Sequence, residues 1–151
     1  MVTTWTPPNT TEAKSPGTQL WEHVFGTPWS SDEAFVAIEQ GLSAGVLRKL
    51  EACVPGVIPV VPELLGISAR TLARRRSQGR LTPVESDRLF RLVALYAQAA
   101  DVLGSVEAAD EWMHSPAIAL GDKTPLAYAM NEAGAKRVEQ LLIRIDDGVY
   151  S

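Results

Sequence analysis

The chain has 151 residues, 46% apolar and 21% charged, which suits one globular domain and is too short for a large multidomain enzyme. Its net charge of −4 is unevenly spread: three basic side chains face six acidic ones over residues 1–60, seven face three over 61–100, and four face nine over 101–151, so no global basic field marks nucleic acid or an anionic membrane and only the middle is basic. The single cysteine, Cys53, excludes an internal disulfide framework, and with only His23 and His114 beside it the soft ligands are too few for structural zinc; no metal and no cofactor is expected, in a reducing, cytoplasmic setting.

Residues 1–30 are rich in Thr and Pro, and Pro7, Pro8, Pro16 and Pro28 forbid one continuous helix, so this stretch reads as a flexible arm. Its Trp5, Trp21 and Trp29 read as loose aromatics covering the flank of the domain. No basic leader precedes an apolar run, and the longest apolar stretch, 54–67, is broken by Pro55, Gly56, Pro59 and Pro62; neither a signal peptide nor a membrane span is expected.

From Ser31 the character changes. Asp32 and Glu33 sit where a helix N-terminus favours carboxylates, Phe35, Ile38 and Leu42 follow at helical spacing, and this helix ends near Gly41. A second runs from Ser43 to about Ala52 and buries Val46, Leu47 and Leu50. The clearest helix spans 82–103: Thr82 and Glu85 make a capping box around Pro83, Leu89, Leu92, Val93, Tyr96, Ala100 and Leu103 form the apolar stripe, and Gly104 stops it. Shorter helices follow from Ser105 through Trp112 and from Thr124-Pro125 with Leu126 and Met130. The last, about 133–146, sets Val138, Leu141, Leu142 and Ile145 on one face and stops at Gly148. No run alternates apolar and polar residues, so the fold class is all-α. The organisation expected is an arm (1–30), a helix-turn-helix DNA-binding region (31–81) and a C-terminal helical domain (82–151).

Residues 64–76 read as helix, tight turn at Gly66, then a second helix capped by Ser68. Five of the fourteen basic residues fall between Arg70 and Arg80, and no acid occurs from Leu64 to Val84. At about 100° per residue, Arg70 and Arg74 lie opposite Leu72, which makes them the candidates for base edges. Thr71, Gln78, Arg75 and Arg76 are placed for phosphates, helped by the positive N-terminus of the helix at Ser68. The competing reading is a solvated basic helix whose arginines pair with acids of the C-terminal third. Pro59 and Pro62 lie where the first helix of the pair should run, so that helix must be short or start late.

The stretch Leu65-Gly66-Ile67-Ser68 through Arg80-Leu81-Thr82-Pro83-Val84-Glu85-Ser86-Asp87-Arg88-Leu89 resembles antitoxins of the Xre/ParS/MbcA type, partners of RES-domain toxins. The resemblance continues through Gly104, Ala109, Trp112, Ala119-Leu120-Gly121, Thr124-Pro125-Leu126, Glu132-Ala133-Gly134 and Arg144-Ile145-Asp146-Asp147-Gly148-Val149-Tyr150-Ser151, covering roughly residues 37–151. It implies a bipartite protein, with an Xre-like helix-turn-helix and then a helical domain that forms a homodimer and holds a toxin. Such toxins resemble ADP-ribosyltransferases and are associated with consuming NAD; the antitoxin neutralises them by covering the active-site entrance. The resemblance implies toxin-facing positions at Arg144, Gly148, Val149, Tyr150 and Ser151, and DNA-facing ones at Ser68, Arg70, Thr71, Arg74 and Arg75; the acid-free run carrying Arg70, Arg74, Arg75 and Arg76 leads to the further expectation that the chain binds its own promoter as an autorepressor. The proline-broken stretch at 59–62 departs from the family's regular helix.

No Gly-rich phosphate loop, serine elbow or metal-ligand cluster supports catalysis, so an enzyme is not expected. Trp112 reads as core, His114 as a helix end meeting the dipole, and Asp146 and Asp147 as solvated charges, because neighbours on a helix point about 100° apart. The alternative function is a stand-alone helix-turn-helix transcription regulator whose C-terminal helices serve only self-association. An apolar stripe on the long helix too large for its short neighbours to cover argues for a homodimer in either case.

Overall fold

In the computed structural model the described residues are Trp5 and 13–148; they form helices and short 3₁₀ turns, with no sheet among them. The long helix predicted from its capping box organises the rest. Here it is α6, after α1 (Pro16–Phe25), α2 (Ser31–Gln40), α3 (Gly45–Cys53), a 3₁₀ turn (Pro55–Val60), α4 (Val61–Leu65) and α5 (Ala69–Gln78). Helix α6 spans Pro83–Leu103; the Thr82 hydroxyl accepts from the Glu85 amide, the Glu85 carboxylate accepts from the Thr82 amide, and Gly104 ends the helix in the left-handed conformation. Then come α7 (Val106–Met113), a 3₁₀ turn (Ile118–Leu120), α8 (Pro125–Tyr128) and α9 (Glu132–Asp146).

Leu89 and the nine consecutive positions Leu92–Ala100 of α6 are buried, with Phe90 and Arg91 half-buried between them, because α1, α2, α4, α7 and α9 pack around it. Leu89, Val93 and Tyr96 are fully buried and Leu92 is 3% exposed. The stripe is therefore covered within one chain, and the apolar surplus from which a homodimer was expected is not there. Tyr96 donates its phenolic O–H to Asp110 Oδ1 at 3.0 Å, tying α6 to α7; burial, then the nearby Asp110 charge, pushes its titration far above the usual phenol range.

The arm expected over residues 1–30 is corrected from Pro16 onward. Ser15 caps α1, Pro16 supplies the pre-set first position, and Leu20, Trp21 and Val24 face inward. The four prolines do forbid one helix across the whole stretch, but the nine residues after Pro16 are free of proline. Asp101 of α6 accepts from the Gly17 amide at 2.7 Å and from the Trp5 indole at 3.1 Å, pinning the segment at two points. Trp21 is fully buried and meets Phe25 and Phe90 edge-on at 4.9 and 5.1 Å. The tryptophans do cover the flank of the domain, as expected, but as ordered core.

Helix α2 begins in a capping box between Ser30 and Glu33, with Asp32 also in its first turn, and ends at Gly41. Its apolar face is not a core face: Phe35 is 66% exposed, Ile38 is half-buried, and only Leu42, beyond the helix, is buried. Phe35, Val36, Ala37 and Ile38 are four consecutive apolar residues and so point all round the helix, which leaves its inward face unspecified by sequence. Helix α3 does bury Val46, Leu47 and Leu50.

Candidate nucleic-acid interface and the C-terminal helical face

The segment bearing the arginines is built as the sequence implies. The proline-rich run winds first as the 3₁₀ turn and then as the single α-turn of α4, which keeps Pro59 and Pro62 off interior α-helical amides, so the first helix is short. Gly66 then takes a left-handed conformation (φ 71°), and a Cβ there would stand 2.7 Å from the Arg88 guanidinium, which itself donates to the Leu65 carbonyl at 3.0 Å. The chain turns by 102° between 55–65 and α5, within the range of a helix-turn-helix. Ser68 caps α5: its hydroxyl accepts from the Thr71 amide at 3.0 Å and donates to Thr71 Oγ1 at 3.1 Å.

Leu72 is the buried residue of α5. Arg70, Arg74, Arg76 and Gln78 are exposed, and the three arginines have no hydrogen-bond or ionic partner among the described residues. Arg75 differs. Its Nε and Nη2 donate to the two Glu85 carboxylate oxygens at 2.9 and 3.1 Å, with side chains only 17% and 6% exposed. Arg75, one of the phosphate candidates, is thus paired within the protein, because the turn at Gly79 brings it within reach of Glu85 at the start of α6. Of the competing reading, a solvated basic helix pairing with acids of the C-terminal third, the pairing is not seen: Arg75 alone of the α5 arginines is paired, its acid belongs to the start of α6, and Arg70, Arg74 and Arg76 are solvated. Arg80 is likewise structural: it donates to the Gly41 carbonyl at 2.6 Å and closes the end of α2. Burial alone would push the Glu85 carboxyl up, but the hydrogen bonds from Arg75 and the Thr82 amide outweigh it and hold the group below the usual carboxylate range.

The second face belongs to α9. Asn131 caps it through the Gly134 amide, and Ala135, Val138, Leu141 and Leu142 turn inward. Ile145 is half-buried. Arg144 lies in the last turn, half-exposed, where a cation suits the negative helix end. Gly148 follows with φ 78°. Val149, Tyr150 and Ser151 lie outside the described residues. Near the start of α9, Arg91, Gln98 and Lys136 rim a crevice between α6 and α9, and Gln98 donates to the Glu139 carbonyl at 3.3 Å. Trp112 packs partly buried against the core, and His114 at the end of α7 lies 2.9 Å from the Asp110 carbonyl, as a helix-end histidine should. Asp146 and Asp147 are exposed. Among the described residues no cluster of histidine, cysteine and carboxylates could hold a metal ion, and no single helix is long and apolar enough to cross a membrane.

Fold and basic surface together define an all-helical protein in which a helix-turn-helix leads into further C-terminal helices through the shared long helix α6. Residues 63–94 match the model of the antitoxin Xre-like helix-turn-helix domain, and residues 98–148 that of the antitoxin Xre/MbcA/ParS C-terminal toxin-binding domain. The chain is 33% identical over 135 residues to "Antitoxin Xre" of Yersinia enterocolitica and, at the same identity and length, to that of Photorhabdus laumondii, covering 87% of this chain and 90% of each relative. To "Antitoxin Xre" of Pseudomonas putida it is 33% identical over 120 residues, 79% of this chain and 74% of that one. The chain belongs to the Xre antitoxin family.

Proposed function

We propose that the protein neutralises a RES-domain toxin that degrades NAD or transfers ADP-ribose, by covering its active site, and represses its own operon as a DNA-binding protein in the cytoplasm. The observation that carries the reading is the division of labour within one chain. Helix α5 offers Arg70, Arg74 and Arg76 outward with no internal partner among the described residues, while residues 98–148, net acidic in composition, match a toxin-binding domain. Arg70 and Arg74 stand opposite buried Leu72, so when Leu72 faces the core they face a duplex; Arg76, Gln78 and the Ser68–Thr71 helix start sit beside them for phosphates. The toxin would meet the end of α9 around Arg144 and Gly148 and the residues beyond, Val149, Tyr150 and Ser151. Tyr150 brings an amphipathic ring suited to a cleft that accepts an aromatic base.

Two copies would set two recognition helices at matched half-sites, so a homodimer belongs to this reading, on a surface other than the α6 stripe. The chain itself acts by binding and not by catalysis.

The test is co-expression with the polypeptide of the adjoining reading frame, following growth, cellular NAD and co-purification. A co-purifying partner whose NAD-depleting effect this chain suppresses is expected. Absence of any such partner, with operator binding intact, would favour a stand-alone regulator.

A further inference from the structure

Helix α5 has ten residues and one buried side chain, Leu72. A single apolar peg sets its depth but not its rotation. A helix with side chains is about 10–12 Å across, so a roll of about 20° moves the tips of outward side chains by about 2 Å, enough to misplace an arginine on a base edge. Something must stop that roll. Three residues after Leu72, and so on nearly the same face, Arg75 makes a two-point ion pair with Glu85. The planar guanidinium and the planar carboxylate fix direction as well as distance. Glu85 is itself immobile, because its Oε1 also accepts from the Thr82 amide at 3.0 Å and its own amide is bonded to Thr82 Oγ1 at 3.2 Å, at the start of the most buried helix.

We propose that Glu85 is a positioning residue for DNA recognition, holding α5 through Arg75 at the rotation that presents Arg70, Arg74 and Arg76. This rests on the DNA-binding reading above. The rival is that Arg75 leaves Glu85 to take a phosphate, Glu85 then being only a competitor. The two differ in sign. Glu85 is an acid beside a basic surface, so by charge alone its removal favours DNA.

The experiment measures binding of the full chain to a duplex from immediately upstream of its reading frame and to an unrelated duplex of equal length, over a salt series. If Glu85 positions α5, E85Q loses about tenfold or more on the upstream duplex and little on the unrelated one, with an unchanged salt slope. R75A does the same. Tighter or unaltered binding by E85Q overturns the assignment, as does a fall of about 0.9 in the salt slope for R75A, the mark of a lost phosphate contact. Circular dichroism checks that each variant is folded. Should E85Q not fold, R75K decides: it keeps the charge but loses the fork, and undiminished discrimination by R75K overturns the proposal. Failure of the wild type to bind either duplex at low salt refutes the DNA reading itself and this assignment with it.

Discussion

Replacing Trp21 by alanine separates an ordered N-terminal helix from a loose arm. The indole is fully buried, with ring centroids 4.9 Å from Phe25, 5.1 Å from Phe90, 5.7 Å from Trp5 and 6.4 Å from Trp29. Truncating a fully buried aromatic costs about 3–5 kcal/mol through lost transfer energy and the cavity left behind. The two closest edge-to-face partners place the cost in the upper part of that range. For a chain of this size about 1 kcal/mol corresponds to roughly 2–4 °C, so a loss of about 4–5 kcal/mol should melt W21A some 8–20 °C lower. The indole N–H has no hydrogen-bond partner among the described residues, so W21F, which removes that buried donor and keeps a ring, should lose much less than W21A. Urea unfolding followed by circular dichroism at the helix band measures both without relying on tryptophan fluorescence. A W21A loss within about 0.5 kcal/mol, the ordinary range for surface substitutions, would refute the docking of α1 on α6.

The remaining predictions concern the two faces and their supports. Arg74→Ala should lose about 1–3 kcal/mol of discrimination between operator and unrelated DNA if it reads a guanine; uniform weakening on all duplexes would reassign it to phosphate. Because the folded Glu85 carboxyl is held below its ordinary range, its stabilising contribution is complete above that range and is lost as pH falls through it and then through the lowered folded value. The gap in urea midpoint between wild type and E85Q should therefore narrow as pH falls through roughly 4, and a gap independent of pH would refute the pairing. A Cβ at position 134 would overlap the Tyr128 carbonyl, so Gly134→Ala should force α8 and α9 apart at about 1–3 kcal/mol and weaken toxin control while DNA binding survives; unaltered stability would contradict the contact. Deleting 149–151 should leave folding and DNA binding intact but weaken neutralisation, read as growth and NAD in co-expression; full protection would move the inhibitory surface to α9 around Arg144.

What the sequence determined by itself is local. Capping chemistry and helical spacing act over a few residues, so the Thr82–Glu85 box, the Gly104 stop, the Ser68 cap, the Gly66 turn and the inward residues of α3, α6 and α9 were all legible from neighbouring positions. The family resemblance rested on the same landmarks in order. What tertiary structure decided is which face meets what. Periodicity shows that α6 has an apolar stripe but not that α1, from a stretch that read as a proline-rich arm, helps to cover it; Trp21 finds Phe90 across 69 positions of sequence. In α2, Phe35 looked inward by spacing yet stands in solvent, since a ten-residue helix takes its orientation from its neighbours. Arg75 and Arg76 are alike as sequence, and one is bound to Glu85 while the other is exposed. Charge content says how many cations a segment carries. Only the turn between α5 and α6 says which of them is paired inside the protein and which stands exposed, because pairing depends on distances that the fold sets.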